Sequence, residues 1–543
     1  MRASDDLPPP RSRRRARTSG RGRIIAIVVV VAAIVLLLSL RGLAGFYTDF
    51  LWFDSLDRND VWSTVLGAKV ALTLIFGGLF FVLLWLNLMI ADRVAPAVRS
   101  AGPEEELLAR YHDVVAGRHL LVRSVVSLLF AIVAGAGVSG QWEEWLLYVN
   151  RTDFGIDDPQ FGRDIGFYVF ELPFLSFVVS WAFASFVVIL ILTAVAHYLN
   201  GGIRLQTLGG ERVTPNVKVH LSALLAVLAV IKAADYWLDR FGLTVSGRGV
   251  VDGALYTDVN AQLPALNLLI LISLFAVVLL VVNLRRRGWV LPVLAVGLSA
   301  FVAIVVGSIY PAFVQGFIVE PNETSREAEF TGRNIEATRA AFELTPGEHV
   351  ERQAFDYTEE LTPDQIRASA ATVRNARLVD PLVVDPTFDR LQAEREFYRF
   401  PGVLDTDRYV IDGEITQAVL AARELNLTEV SSWERKHVRL THGYALALVQ
   451  ANATTREGRP DFQIGGLPVT VSDRVDVTLE QPQIYHGEDF GGYALVGATV
   501  DEVDFVDSDT GEEVKYRYTG ESGVEMGSFL RQAAFALRFG EID

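Results

Sequence analysis

Two short pairs of residues carry the groups in this sequence that could do chemistry. Lys232 and Asp235 stand three residues apart inside an otherwise apolar run, and His437 and His442 stand five residues apart in a polar region. Charged residues at helical spacing share one helix face, and ionisable groups inside a membrane face protein, water or each other because they are costly there. The pair at 232 and 235 therefore predicts either part of a polar pathway or lipid-headgroup site, or a lysine that reaches the membrane surface beside its carboxylate.

The two histidines have the right chemistry for a metal site or for acid–base catalysis, but no third ligand accompanies them, so a structural role is the alternative. Dinucleotide, phosphate-loop, zinc-protease and serine-hydrolase motifs are absent from the sequence. The stretch Asp507–Gly511 lacks the spacing and the distal glutamate of a calcium loop. We therefore predict no catalytic residue, no cofactor and no metal site, and we favour a non-enzymatic protein.

Composition divides the chain of 543 residues into two unlike parts. Long apolar runs dominate up to about residue 318, whereas acidic residues outnumber basic residues nearly two to one after it. Nucleic acid is excluded as a partner of the acidic part, because phosphate binding needs a basic surface. The chain has no cysteine, which excludes disulfides, thiolate metal sites and cysteine nucleophiles.

Seven apolar runs are long enough to cross about 30 Å of hydrocarbon as helices. They lie at residues 24–40, 70–90, 121–139, 172–196, 220–237, 264–283 and 289–309. The first run could instead be a signal peptide, but it leads into Arg41 and an aromatic stretch rather than a small-residue cleavage site. We therefore expect a polytopic α-helical membrane protein with about seven transmembrane helices.

Loop charges set the predicted orientation. The N-terminal arm and residues 91–120, 197–219 and 284–288 are rich in arginine and lysine, whereas residues 41–60, 140–171 and 238–262 are acidic and aromatic. The positive-inside rule places the basic segments in the cytoplasm. We therefore predict a bacterial plasma-membrane protein with a cytoplasmic N-terminus and an extracytoplasmic C-terminal domain.

The predicted domains are a basic, disordered cytoplasmic arm at 1–23, a transmembrane domain at 24–318 and an acidic extracytoplasmic α+β domain at 319–543. Thr362-Pro363-Asp364 predicts the start of a helix that reaches about Arg377. Asp385-Pro386 predicts another helix over 391–398, and a short third helix is expected at 432–439. β-rich runs follow from residue 443, and Asp507–Gly511 predicts a hairpin loop between two of them.

Three segments resemble an uncharacterised bacterial membrane family, uncharacterised protein family 0182. They are Gly45–Phe53, Asp158–Phe174 and the stretch from Val319 through Phe342, and Thr441–Tyr444 also fits. The resemblance covers essentially the whole chain. It implies seven spans and a large extracytoplasmic domain in the plasma membrane, but no reaction. Relatives are longer at the C-terminus than this chain.

The expected function is an envelope-associated scaffold or binding protein that contacts the lipid bilayer and handles envelope lipid or polymer. A transporter or lipid-handling protein and a membrane-anchored envelope enzyme are the alternatives. The apolar stripe within residues 528–539 predicts an amphipathic helix that must bury itself against a neighbour. We therefore expect the soluble domain to be incomplete and to need a missing C-terminal segment or a protein partner.

Overall fold

A computed structural model describes residues 20–95, 117–204, 212–249, 251–347, 349–352, 361–488 and 490–541, without the side chains of residues 20–28, 31–33 and 35–38. The predicted arm at 1–23 lies almost wholly outside the described residues, as do Arg99 and Arg110 of the predicted inside segments. The chain forms two compact units, one of residues 58–353 and one of residues 1–57 with 354–543. The predicted limits at 23 and 318 follow composition and stay predictions.

The first unit is helical. Its helices are α2 (Asn59–Val94), α3 (His119–Ala136), α4 (Trp142–Val149), α5 (Leu172–Leu199), α6 (Pro215–Gly242), α7 (Leu263–Arg286), α8 (Val290–Ile304), α9 (Tyr310–Val314) and α10 (Glu323–Ala341). Short 3₁₀ and π turns at 137–141, 167–171, 258–262, 305–309 and 315–322 extend or join several of them. Proline at the first helical position of α6, after Thr214, supplies a preset backbone angle where no amide partner is needed.

Six helical runs among the described residues are long and apolar enough to cross a membrane. They are Asn59–Val94, His119–Val149, Phe167–Leu199, Pro215–Val245, Asp258–Arg286 and Val290–Ala341. The first five contain the second to the sixth predicted spans in full, and Val290–Ala341 contains all but the first residue of the seventh. The predicted first span lies in α1 (Gly20–Ser55), where most of the span's side chains are outside the described set.

Helices α2 and α3 approach each other at two glycines. A methyl group built on Gly135 would lie 2.9 Å from the Thr73 carbonyl oxygen and 3.1 Å from the Gly77 α-carbon. The neighbouring Gly78 and Gly137 have nothing within 4 Å of such a group. Of these four glycines, Gly77 and Gly135 therefore allow the close approach of the two helices.

Gly135→Val should destabilise the α2–α3 contact by about 1–3 kcal/mol, because the backbone oxygen of Thr73 cannot move away independently of its helix. Reversible unfolding of the full chain in mixed micelles, followed by far-ultraviolet circular dichroism, measures the loss. Gly78→Val is the matched control, with the same change of helix propensity in open space. Equal losses in the two variants would show that the crossing does not depend on close backbone approach.

Among its described residues, the second unit contains α1, four short helices and eleven strands. The helices are α11 (Pro363–Ala368), α12 (Ala370–Arg374), α13 (Pro381–Phe388) and α14 (Phe529–Phe539). The strands are β1 (Tyr398–Arg399), β2 (Asp405–Ile411), β3 (Glu414–Ala422), β4 (Glu424–Leu425), β5 (Gly443–Tyr444), β6 (Leu446–Thr454), β7 (Pro460–Gly465), β8 (Thr470–Val471), β9 (Gln483–Ile484), β10 (Glu502–Val506) and β11 (Glu513–Tyr516).

An antiparallel sheet in the order β2-β3-β6-β7-β8 carries the core of this unit. Val419 and Val449 are fully buried on the face that packs with Phe388 of α13, and Ala418 and Leu448 are fully buried on the other face. Both faces of the central strands are therefore covered. In the sequence, such strands are nearly continuous runs of apolar residues. They lack the alternation of apolar and polar residues that marks a sheet with one exposed face.

Several predicted elements of the soluble part are confirmed. The helix at Thr362-Pro363 begins with a capping box, in which the Thr362 hydroxyl accepts from the Gln365 amide at 3.3 Å. Asp507–Gly511 is the turn between β10 and β11, which pair as an antiparallel hairpin. The amphipathic helix at the C-terminal end is α14.

Other predicted elements are wrong in position. The helix starting at residue 363 breaks at Ser369, and the helix expected over 391–398 forms earlier, because Asp380 rather than Asp385 caps it through the Leu382 amide. By contrast, the short helix expected at 432–439 forms in its predicted place, with residues 433–439 helical and a π turn over Arg435–Arg439. Residues 475–479 and 493–500 form no strand, apart from a single bridge between Ile411 and Val475.

Helix α14 packs on the C-terminal part of α1. The Arg538 guanidinium donates to the Thr48 hydroxyl at 2.7 Å and also pairs with Asp49, and Thr48 and Ala44 are buried. Phe539 stacks on Tyr493 with ring centroids 4.3 Å apart. The apolar stripe is therefore partly covered within this unit, while Phe529 remains 85% exposed.

Candidate functional site

A half-open cleft of about 530 Å³ lies in the β-rich unit at the paired strands β1 and β4. Its lining combines two cations, one carboxylate, two hydrogen-bonding side chains and a small apolar floor: Arg399, Lys436, Glu424, Asn426, Thr428, Leu425, Leu427, Phe490, Gly402 and Gly491. The volume is within the usual range of ligand sites, which run from about 300 to 1,000 Å³. The cleft is therefore large enough for a polar small molecule or one unit of a polymer.

A buried arginine holds the strand that forms the cleft floor. Arg423 is fully buried, and its guanidinium donates to the Gln392 carbonyl at 2.7 Å and the Tyr444 carbonyl at 3.0 Å. Burial lowers the pKa of Arg423. Because Arg423 precedes β4 directly, these bonds fix the backbone that presents Glu424 and Leu425 to the cleft.

The rim and the acidic side of the cleft are also preorganised. The Asn426 side-chain oxygen accepts from the Thr428 amide at 3.2 Å and its hydroxyl at 2.7 Å. Glu424 is buried, and one of its carboxylate oxygens accepts from the Glu488 amide at 2.9 Å. That carboxylate is therefore committed in part to holding the neighbouring loop.

The two cations of the cleft are placed to meet a ligand. Among the described residues, neither Arg399 nor Lys436 has a carboxylate within 4.0 Å. The surrounding chain is strongly acidic. Two described carboxylates interact with these cations from farther away, Asp385 with Arg399 and Glu541 with Lys436. Two cations without a contacting carboxylate suit a ligand that carries phosphate or carboxylate groups.

The predicted candidate His437 is a packing residue in the structure. It is 5% exposed, its ring stacks on Tyr493 at 4.1 Å, and its Nδ1 donates to the Tyr493 carbonyl at 2.8 Å. Its Nε2 lies 3.7 Å from the Glu541 carboxylate. These contacts link the segment after β9 to the end of α14.

The predicted candidate His442 lies in a different polar cluster. It is 1% exposed, its Nδ1 donates to the Gly443 carbonyl at 3.0 Å, and its Nε2 has no partner among the described residues. Next to it the buried Glu502 carboxylate accepts from Thr441 at 2.5 Å and from Tyr485 at 2.8 Å. The structure therefore does not join the two histidines into one site, and the described residues contain no cluster of three metal-ligating groups.

The buried position of His442 predicts a pH dependence of stability. Burial lowers the pKa of His442, so the folded chain keeps a neutral imidazole where an unfolded histidine, with a pKa of about 6.5, takes up a proton. Stability should therefore fall as pH falls below about 6.5, by up to about 1.4 kcal/mol per pH unit. Burial raises the pKa of Asp504, which acts in the opposite sense at lower pH.

Replacing His442 by asparagine isolates the histidine contribution. Asparagine keeps a donor for the Gly443 carbonyl, so the variant should lose part of the acid sensitivity seen in amide hydrogen exchange of β3 and β6 between pH 7.5 and 5.5. The exposed His349 gives the control His349→Asn. An unchanged pH slope in His442→Asn would show that this imidazole is not linked to folding.

Lys232 and Asp235 form the ion pair that their spacing predicts. Both lie on α6, the Lys232 ammonium contacts the Asp235 carboxylate directly, and it lies 4.4 Å from the centre of the Tyr236 ring. The Lys232 side chain is 37% exposed. The pair therefore lies on the helix surface, where each side chain is the ionic partner of the other. That the pair also binds a lipid headgroup or forms part of a polar pathway stays a hypothesis.

Sequence reasoning missed a buried polar chain in the helical unit. His197 of α5 and His220 of α6 are hydrogen-bonded at 3.0 Å, and His220 bonds to Asn87 of α2 at 3.1 Å. All three are at most 9% exposed. The available signal was their position at the ends of apolar runs, although nothing in the sequence shows that three helices bring them together.

Within the resembling segment Asp158–Phe174, the two aspartates build a corner. The Asp164 carboxylate accepts from the amides of Phe154, Gly155 and Gly166, at 3.0, 2.7 and 2.6 Å. The bond from the Phe154 amide contributes most to lowering the pKa of Asp164. These bonds fold the chain back into the next long helix, which accounts for the Asp and Gly positions.

Six long apolar helices and a separate β-rich unit are compatible with a helical membrane protein that carries an α+β domain. The chain belongs to the uncharacterised protein family UPF0182, whose profile matches residues 25–543. The predicted family is thereby confirmed.

Similar proteins come from several actinobacteria. A UPF0182 protein of Frankia alni is 40% identical over 502 residues, covering 91% of this chain and 48% of the relative. One from Streptomyces coelicolor is 37% identical, covering 92% of this chain and 50% of the relative, and one from Salinispora tropica is 37% identical, covering 99% and 55%. The chain thus spans about half the length of these relatives. No solved structure matches it.

Proposed function

We propose that this chain is a multi-pass plasma-membrane protein whose β-rich unit lies outside the cytoplasm and binds an anionic component of the cell envelope. The observation that carries the proposal is the cleft at β1 and β4, with Arg399 and Lys436 facing it and no ion pair to either among the described residues. Phosphate- and carboxylate-bearing headgroups or polymers are the ligand chemistry that two such cations recognise.

A binding role fits this cleft better than catalysis. General acid–base chemistry needs groups that converge on a reacting atom. Among the described lining residues, Glu424 is the one carboxylate, and part of it is bonded to the Glu488 amide, while His437 and His442 are outside that lining. The described part of the cleft therefore supports binding of a ligand and not a reaction of that ligand in the cleft.

The ligand test uses the full chain in nanodiscs of neutral phosphatidylcholine. Soluble polyphosphate, vesicles containing phosphatidylglycerol and vesicles of phosphatidylcholine alone are titrated separately. Binding of both polyphosphate and phosphatidylglycerol vesicles, but not of phosphatidylcholine vesicles, supports recognition of phosphate itself. Binding of phosphatidylglycerol vesicles without binding of polyphosphate points to a lipid as the source of the ligand. No binding of either anionic probe would refute the proposal.

The orientation is tested independently through the absence of native cysteine. A membrane-impermeant maleimide should label Lys515→Cys on intact cells and should label Arg286→Cys only after the membrane is permeabilised. Both positions are exposed on the protein surface, so a difference in labelling reports on which side of the membrane each one lies. The reverse pattern would invert every predicted span.

A further inference from the structure

The chain of Asn87, His220 and His197 has a fixed direction. The Asn87 side-chain amide donates to the Leu83 carbonyl at 2.7 Å, which turns its oxygen toward His220. His220 Nε2 therefore carries the proton and donates to Asn87, so its Nδ1 accepts from His197 Nε2. The remaining nitrogen, His197 Nδ1, is then an unprotonated acceptor.

That terminal nitrogen is buried and unused. His197 is fully buried, and its Nδ1 has no hydrogen-bond partner among the described residues. The hydroxyl of Thr193, one helical turn earlier, is also buried without a partner in the described structure. The nitrogen lies beneath the loop at the end of α5, 3.8 Å from where a side chain on Gly202 would begin. The site thus offers a basic lone pair close to a short connecting loop.

Among the residues that the structure describes, no carboxylate is bonded to His197 or His220. Asp92 of α2 is bonded to Arg123 of α3 at 3.4 Å and to Asn200 at 3.1 Å. In the described part of this end, Lys218 of α6 and Arg204 add positive charge. From α7 the polar neighbour is Asn283, bonded to Ser222 at 2.9 Å. Within the described residues, a proton on the histidines would therefore be a buried charge with no carboxylate bonded to it.

We propose that His197 and His220 form a proton-binding site that takes up one proton and opens the loop end of the α5–α6 contact. The proton comes from water, a new N–H bond forms at His197 Nδ1, and the pair becomes singly charged. The amide oxygen of Asn87 is too weakly basic to accept the proton from His220. The chain therefore stores a proton and does not conduct it further.

Opening follows from the charge. A buried charged pair with no carboxylate bonded to it among the described residues favours an arrangement that admits water. A fall in pH therefore shifts the helix pair toward the open form, by at most tenfold per pH unit for one proton. The second proton is opposed by the first at a separation of 3.0 Å. The two rings should therefore titrate as one site over most of the accessible range.

The test is nitrogen NMR of the full chain labelled with ¹⁵N-histidine in nanodiscs, with His197→Gln and His220→Gln used for assignment. Near pH 8 both rings should show the neutral form protonated at Nε2. On acidification they should take up one proton together, and amide exchange of residues 193–204 and 215–222 should rise at the same pH. Rings that stay neutral until the whole protein unfolds, or that titrate separately without any change in exchange, would overturn the proposal.

A variant pair sharpens the result. Asn87→Asp places a carboxylate at the end of the chain and should raise the proton affinity of the histidines at least tenfold. Asn283→Asp is the matched control, because Asn283 is also buried on a neighbouring helix but does not touch the histidines. Equal shifts in both variants would contradict direct coupling through Asn87, and the wild-type titration decides the proposal should either variant fail to fold.

Discussion

Replacing Arg423 by alanine should destabilise the β-rich unit by about 3–5 kcal/mol. The change empties the space of a fully buried side chain and leaves the carbonyls of Gln392 and Tyr444 without their donor. Arg423→Met fills most of the volume but restores no hydrogen bond, so its loss should be intermediate. Amide exchange of β3 and β6 in the full chain measures both.

The control for Arg423 is a solvent-facing arginine of the same unit. Arg408 on β2 is exposed, and Arg408→Ala should cost less than about 0.5 kcal/mol. A loss in Arg423→Ala no larger than in Arg408→Ala would mean that the buried guanidinium does not hold the cleft floor.

Removing both cations of the cleft should weaken binding of polyphosphate by about two orders of magnitude. Each hydrogen bond to a charged group contributes roughly 1.5–3 kcal/mol, and 1.4 kcal/mol corresponds to a factor of ten. The double variant Arg399→Gln with Lys436→Gln removes both charges and leaves shorter, polar side chains in their place. Isothermal titration of the full chain in neutral nanodiscs gives the affinity.

The matched double variant is Arg408→Gln with Lys515→Gln, which removes the same charges from exposed positions that do not line the cleft. This control variant should lower the affinity for polyphosphate only by changing the long-range electrostatic potential of the protein. Because salt screens exposed charges, that effect should become smaller at higher ionic strength. Similar losses in the two double variants would place recognition in the overall charge of the domain and not in the cleft.

The helices of the helical unit could largely be predicted from the sequence, because the length of an apolar run is enough to indicate a membrane-spanning helix. A span needs a long apolar run, and six such runs coincide with six long helices. The side chains that join the helices were not readable. His197, His220 and Asn87 are separated by up to 133 positions, and nothing local to any of them indicates the other two.

The secondary structure of the β-rich unit was harder to predict, and two features of its strands explain why. Its central strands are buried on both faces, so β3 and β6 lack the alternation that marks a half-exposed strand. A stronger signal was present but unused: Asp412-Gly413 joins β2 to β3 with both residues at positive φ, as a two-residue hairpin requires.

The cleft could not be predicted from the sequence because its lining comes from four separate stretches. Arg399 and Gly402 follow one helix, Glu424–Thr428 surround β4, and Lys436 and Phe490 come from later segments. Their convergence depends on the β1–β4 pair, which is two residues long and has no pattern of its own. The histidines at 437 and 442 drew attention by residue type, whereas the cations of the cleft are ordinary residues in an unusual place.

The central claim is that a cleft outside the cytoplasm holds an anionic ligand, and the labelling rate of Gly402→Cys on intact cells tests it most directly. Gly402 lines the cleft, and a side chain there meets nothing within 4 Å. An uncharged, membrane-impermeant polyethylene glycol maleimide should label this position without permeabilisation. Added polyphosphate should slow the reaction several-fold, but not in the Arg399→Gln/Lys436→Gln background and not at the exposed control Gly527→Cys. Labelling only after permeabilisation, or a rate that no polyanion changes, would contradict the account.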